Sequence, residues 1–235
     1  MGMTEKGEEN YLLTLVIVAA LNEEEGIGPT LAEIKNCLNG PLCLVVDGQS
    51  VDGTAKVAKA MGAQVIFQKG FGKGAAVATA IEHANGLNVK YVVFIDADFT
   101  YPAEYLPKMI KILEENPDVG MVCGNRFNAN LHLGKMHNIL YTGNRIIAFI
   151  HNMLNGVQIH DPLTGLRVVR WEILKDWKPK SKSFDIEVEL NHHVERKGRR
   201  IMEIPIYYRP RLGEKKLQLK HGFTILKRIL LESAH

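Results

Sequence analysis

Tyr91-Val92-Val93-Phe94-Ile95-Asp96-Ala97-Asp98 is an apolar run that stops at two carboxylates one residue apart. Five aromatic or β-branched residues in succession read as a strand buried on both faces, with the chain leaving the sheet at Asp96. Side chains alternate along a strand, so Asp96 and Asp98 emerge on the same side. Two like charges this close are costly unless a cation neutralises them. An oxygen-only pair suits Mg²⁺ or Mn²⁺, which keep some waters and also bind substrate phosphates. A strand-end turn accounts for the same residues equally well, because Asp is common there and Thr100 and Pro102 continue the loop.

Upstream the same pattern repeats. Residues 13–20, 42–47, 64–68, 91–96 and 120–123 read as short buried strands, and helical patterns lie near 27–36, 54–61, 74–84 and 103–115. That alternation predicts an α/β fold with a mainly parallel central sheet and helices on both faces. Ligands bind such sheets outside the carboxyl ends of the strands. Asn22 and Glu23 follow the first strand, Asp47 the second, Lys69 and Lys73 the third, and Asp96 and Asp98 the fourth. Four polar strand ends point to one shared cleft.

After Arg126 the rhythm changes. Residues 136–154 form an amphipathic pattern, with Met136, Ile139, Leu140, Gly143, Ile147, Ile150 and Leu154 at helical spacing. The stripe fits core packing and a helix lying in a membrane interface equally well. Residues 156–170 then hold a turn and an arginine near a strand, followed by a helix near 185–196, a strand at 200–207 and a helix at 219–231. No linker separates a second unit. The expected organisation is a polar tail over 1–10 and a single domain over 11–235.

Size and composition narrow the class. A chain of 235 residues can bury a substantial core. The first ten residues lack the apolar core of a secretion signal, and no stretch approaches eighteen uninterrupted apolar residues, so no membrane span is expected. Cys37, Cys43 and Cys123 are scattered, which argues for reduced thiols in a cytoplasmic setting and against a zinc site. The net charge of +3 hides an asymmetry: between Arg196 and Arg228 eleven Lys or Arg face only Glu203 and Glu214. A basic final quarter suits an anionic partner such as phosphates or a lipid surface. No nucleic-acid recognition fold accompanies it.

Four motifs supply candidate ligands. In residues 45–54, Asp47 is placed to accept the imide N–H of a uracil or guanine ring, while Asp52 suits a helix cap. Gln68-Lys69-Gly70-Phe71-Gly72-Lys73-Gly74-Ala75 opens a helix whose backbone N–H groups could cradle an anion beside Lys73. Asp161-Pro162-Leu163-Thr164-Gly165-Leu166-Arg167 joins a carboxylate, a turn and an arginine, in which a plain Asp161–Arg167 pair is the simplest reading. Residues 207–217 place Arg209, Arg211, Lys215 and Lys216 around Gly213, forks suited to diphosphate oxygens.

Taken in order, these pieces resemble the family 2 inverting glycosyltransferases with the GT-A fold. They run from Leu21-Asn22-Glu23-Glu24-Glu25 through Val46-Asp47, Gly72-Lys73-Gly74, Asp96-Ala97-Asp98, Gly124-Asn125-Arg126-Phe127 and the two later motifs. The likeness is strongest to the branch that makes polyprenyl- or dolichyl-phosphate sugars, where Gly143-Asn144-Arg145 also fits. It implies transfer of a hexose from UDP-glucose or GDP-mannose to a polyprenyl phosphate, with inversion and Mg²⁺ or Mn²⁺. It makes 11–125 the nucleotide-sugar half and 126–235 the acceptor half with interface helices. Carried onto this sequence, Asp96 and Asp98 bind metal, and Asp98, Arg126 and Arg167 act in catalysis. Ala20, Asn22, Glu23, Asp47, Lys73, Asp96, Ala97, Arg145, Asp161, Arg209, Arg211 and Lys216 line the substrates. Gly48 and Gln49 stand where many relatives have Asp-Gly, which leaves the base open, and Lys215-Lys216 replaces a common Ser-Lys. The implied setting is the cytoplasmic face of a membrane, and a homo-oligomer is compatible with it. Two alternatives remain: a soluble phosphorylated acceptor such as phosphoglycerate, and a catalytically silent nucleotide-sugar-binding protein.

Overall fold

The computed structural model describes residues 13–127, 137–155, 158–214 and 220–233. Four βα units come first: β1 (Thr14–Ala20), α1 (Glu24–Cys37), β2 (Leu42–Asp47), α2 (Thr54–Ala60), β3 (Gln64–Phe67), α3 (Lys73–Ala84), β4 (Tyr91–Asp96) and α4 (Leu106–Glu115). Then follow β5 (Val119–Asn125), α5 (His137–Asn155), β6 (Arg167–Arg170), a single turn α6 (Trp171–Leu174), α7 (Ile186–Arg196), β7 (Arg200–Pro205) and α8 (Lys220–Ser233). Among the described residues the strands form one sheet in the order β3-β2-β1-β4-β6-β5-β7. Only β6 runs antiparallel, between β4 and β5.

The alternation of strands and helices expected from the sequence is therefore present, and the later strand β7 joins the same sheet beside β5. Chain order reverses between β1 and β4, which opens a crevice at their carboxyl ends. Register puts Ala19 beside Asp96 and Ala20 beside Asp47, so the second- and fourth-strand carboxylates sit along one rim.

Period-two alternation along the strands feeds two apolar layers. Val16, Val18, Val93 and Ile95 pack under α1 and α4 residues such as Leu31 and Met109. Leu15, Ile17, Val92 and Phe94 pack under α3 and α7 residues such as Val77 and Leu190. A third, smaller cluster joins Ile147 of α5 to Val188 of α7 and to Ile225 and Ile229 of α8. The stripe residues Ile147 and Ile150 thus pack inward, whereas Ile146, Phe149 and Met153 of α5 are exposed. No described helix is long and apolar enough to cross a membrane.

Candidate active site

The crevice is built first from loops held in unusual backbone conformations. Asn22, Gln49 and Phe99 follow β1, β2 and β4, and each has positive φ, at 50°, 66° and 65°. Such conformations cost free energy in side-chain-bearing residues and concentrate at functional sites. Asn22 accepts the Val51 N–H at 2.9 Å and donates its own N–H to Ser50 Oγ at 2.9 Å, while the Glu23 N–H donates to Thr54 Oγ1 at 2.8 Å. Asp47 is fully buried and accepts from the Ser50 hydroxyl at 2.5 Å and the Ser50 N–H at 3.1 Å. Its carboxylate holds the turn in this structure. Ala20 and Ala97 contribute carbonyls, which accept the Gly48 N–H at 2.8 Å and the Thr30 hydroxyl at 3.3 Å.

The carboxylate pair is already neutralised by cations of the chain itself. Lys73 Nζ lies 2.6 Å from Asp96 Oδ1 and 2.7 Å from Glu187 Oε1. Burial alone would lower the Lys73 pKa, but Asp96 and Glu187 outweigh it and hold the ammonium well above its ordinary value. Asp98 accepts the Thr100 hydroxyl at 2.6 Å and N–H at 3.1 Å on one oxygen, and Arg211 at 2.7 Å on the other. Arg211 also bonds Glu23. Burial and the charge of Asp96 raise the Asp98 pKa, and Thr100 and Arg211 only partly offset them. Arg209 pairs with Glu33 at 2.6 Å and lies 3.9 Å from the Phe99 ring centroid. Backbone bonds from Arg209 to Thr100 and from Leu212 to Asp98 lay this strap along the loop that follows β4.

These groups fit a hard divalent cation. The donors are carboxylate oxygens, each paired here with a cation of the chain, and no cluster of three or more His, Cys, Asp or Glu side chains that could hold a metal exists among the described residues. A two-carboxylate site leaves coordination positions for waters and phosphates, as Mg²⁺ and Mn²⁺ prefer.

At the end of β5, Asp161 pairs with Arg126 and not with Arg167. The Arg126 fork meets it at 2.7 Å through both Nε and NH2, and the guanidinium lies 5.3 Å from the Tyr208 ring centroid. Arg167 is 1% exposed. Its donors go to the Thr164 and Pro162 carbonyls at 2.8 and 2.7 Å and to Asn191 at 2.5 Å. The expectation that Arg167 touches substrate is thereby corrected, because its polar groups are spent inside the protein, where they shape the loop ending in Gly165. A Cβ on Gly165 would stand 2.4 Å from Asp96 Oδ2, so any larger residue would push that carboxylate aside. Arg145 is exposed on α5, and Lys216 lies outside the described residues. The glycine-rich loop is wedged against the main chain, since a Cβ on Gly72, at φ 87°, would meet the Lys182 carbonyl at 2.1 Å. Two site residues escape a reading by motif. Tyr101 receives the Gly165 N–H at 2.7 Å, and Glu187 shares Lys73 with Asp96.

Comparison with known proteins gives a consistent result. The model for Glycosyl transferase family 2 matches residues 15–178. A Haloferax volcanii protein named dolichyl-phosphate hexose transferase is 36% identical over 86% of this chain and 85% of its own. Glycosyltransferase AglJ of the same organism is 34% identical over 83% of this chain, which spans only 63% of that protein. The solved structure of Mycobacterium tuberculosis glucosyl-3-phosphoglycerate synthase superposes with a TM-score of 0.73 at 21% identity, over 94% of this chain and 80% of that one. The fold is the GT-A fold, and the chain belongs to glycosyl transferase family 2.

Proposed function

We propose that the chain transfers a hexose from a UDP- or GDP-linked sugar to a polyprenyl (dolichyl) phosphate, with inversion and with Mg²⁺ or Mn²⁺. The observation that carries this reading is the pairing of Asp96 with Lys73 and of Asp98 with Arg211, cations that diphosphate oxygens would also attract. The name of the Haloferax relative supports the acceptor, and the M. tuberculosis enzyme, solved with Mn²⁺ and UDP, supports the donor class and the metal.

When bound, a divalent cation stabilises the charge that builds on the departing diphosphate. Asp96 and Asp98 would hold it, while Lys73 and Arg211 turn to phosphate oxygens. Asp47 would accept the imide N–H of the base once Ser50 yields, with Asn22 and Ala20 beside it. A phosphate acceptor is already an anion near pH 7, so displacement at the anomeric carbon needs no strong general base. The Asp161 fork uses Nε and NH2 of Arg126 and leaves NH1 for that phosphate, and Arg145 is a second candidate.

A soluble acceptor such as phosphoglycerate is the rival, as in the M. tuberculosis enzyme. The lipid is favoured by an apolar face that a soluble acceptor would not use: Ile146, Phe149 and Met153 on α5, and Leu230 and Leu231 on α8, are all more than half exposed. Such a face suits peripheral attachment to the cytoplasmic leaflet. Incubation with sugar-labelled UDP-glucose or GDP-mannose, Mn²⁺ and either dolichyl phosphate or 3-phosphoglycerate separates the readings. Label is expected to enter the organic phase. Label passing only to phosphoglycerate contradicts the lipid reading, and the absence of transfer or donor hydrolysis supports a silent binder.

A further inference from the structure

Asp161 grips Arg126, but it lies in a loop, so its own position has to be fixed from outside that loop. Two tethers do this. Ile159 exchanges two hydrogen bonds with the Asn152 side chain of α5, through its N–H at 3.0 Å and its carbonyl at 2.9 Å. The next two N–H groups, those of His160 and Asp161, each donate at 2.8 Å to a separate oxygen of the Glu203 carboxylate. His160 Nδ1 also lies 2.8 Å from Glu203 Oε2. Glu203 stands in β7 beside Cys123 of β5, so the sheet sets its place, and its side chain is only 10% exposed. From Asp161 the line runs on to Arg126, through two guanidinium bonds of 2.7 Å and the Arg126 N–H at 3.1 Å.

We propose that Glu203 is a positioning residue for the acceptor phosphate, aiming Arg126 by clamping the main chain of His160 and Asp161. The proposal rests on the transferase reading, in which Arg126 meets that phosphate. A carboxylate has two oxygens to offer two successive N–H groups, and hydrogen bonds to an ionised acceptor are stronger than neutral ones. Released from them, Asp161 would carry the guanidinium with it, and a misplacement of about 1 Å can cost about 100-fold in rate. Among the described residues Glu203 makes no hydrogen bond or ion pair with Lys73, Asp96, Asp98 or Arg211, so the diphosphate side should not feel its loss. The competing role is that of a plain loop anchor, which would affect both substrates alike or neither.

Initial rates with Mn²⁺ and saturating nucleotide sugar distinguish the two roles, with dolichyl phosphate or 3-phosphoglycerate varied, whichever the wild-type protein uses. Glu203→Gln keeps the size of the side chain but turns one acceptor into a donor facing an N–H. It is expected to raise the KM for the phosphate acceptor about ten-fold or more, while calorimetric affinity for UDP or GDP with Mn²⁺ changes less than about two-fold. Parallel weakening of acceptor and nucleotide, or an unchanged acceptor KM, overturns the proposal. Because Glu203 acts through Asp161, adding Glu203→Gln to Asp161→Asn should raise the acceptor KM less than about two-fold further. A further rise as large as in the single variant overturns the proposal. Should Glu203→Gln not fold, Glu203→Asp draws the carboxylate back by one methylene and must show the same split between acceptor and nucleotide; its absence overturns the proposal. A wild-type protein that transfers sugar to neither acceptor removes the transferase reading and this proposal with it, an outcome distinct from a Glu203 variant with unchanged acceptor KM.

Discussion

Lys73 and Arg211 act on Asp96 and Asp98 as a bound cation would, by neutralising two carboxylates that are too close to stand alone. Their chemistry was legible in the sequence because an Asp-x-Asp at a strand end demands positive charge. Which basic residues supply it was not, since Lys73 lies 23 residues upstream and Arg211 113 residues downstream of their partners. Arg167 shows the opposite failure, because an arginine next to a turn looks the same in sequence whether it faces a ligand or the interior. Its burial implies that Arg167→Met leaves the Thr164 carbonyl and the Asn191 Oδ1 without their donor, while the Pro162 carbonyl keeps only the Asn191 amide. Urea unfolding is expected to show a loss of about 3 kcal/mol or more. Gly165→Ala is the converse case: its Cβ would collide with Asp96, so turnover should fall at least about ten-fold through displacement of that carboxylate. A circular-dichroism spectrum like that of the wild type alongside near-normal turnover would refute the glycine argument.

At the scale of elements, β1, β2 and β4 were readable because each is a continuous apolar run, whereas β3, expected to be buried, is an edge strand whose Gln64 and Phe67 are exposed. The sequence reading left β6 undefined: Arg167-Val168-Val169-Arg170 is only four residues long, charged at both ends and antiparallel to its neighbours. Glu187 was illegible for another reason, since an acid in a first helical turn is ordinary complement to the helix dipole. The packing of α5 on α7 makes a further prediction. The rings of His151 and His192 lie 5.0 Å apart, and burial holds both pKa values down to about 4. Unfolded imidazoles take protons near 6.5, so stability should fall as pH drops from about 6.5 to about 4. Glu195 acts in the opposite direction. Burial pushes it up to about 7, so acidification from there toward 4.5 restores stability, but one carboxyl does not offset two imidazoles. Around His192, Glu232 favours the charged form while Arg196 opposes it; Arg167 opposes it at His151, where Asn152 favours it. Melting temperatures measured from pH 7 to pH 4.5 should decline, and His151→Leu should flatten that decline.

For the whole molecule, the reversal of strand order places the β1 and β4 ends at one crevice, and the later elements close it from the other side. The basic strap of Arg209 and Arg211 lies over the carboxylates, while α5 and α8 turn an apolar face outward. On the proposed reading, the crevice at the strand ends and the exposed apolar side chains of α5 and α8 belong to one fold. Phe149→Glu with Met153→Glu is expected to reduce sedimentation with anionic vesicles at low salt at least about five-fold, with nucleotide affinity unchanged. The most direct test of the central claim is thermal shift with UDP-glucose and GDP-mannose, with and without Mn²⁺, on the wild-type protein and on Asp98→Asn. One nucleotide sugar should raise the melting temperature by several degrees only when metal is present, and Asp98→Asn should lose that rise while melting normally alone. A shift that is independent of metal and of Asp98, or no shift with either donor, would contradict the assignment of Asp96 and Asp98 as the metal–diphosphate site.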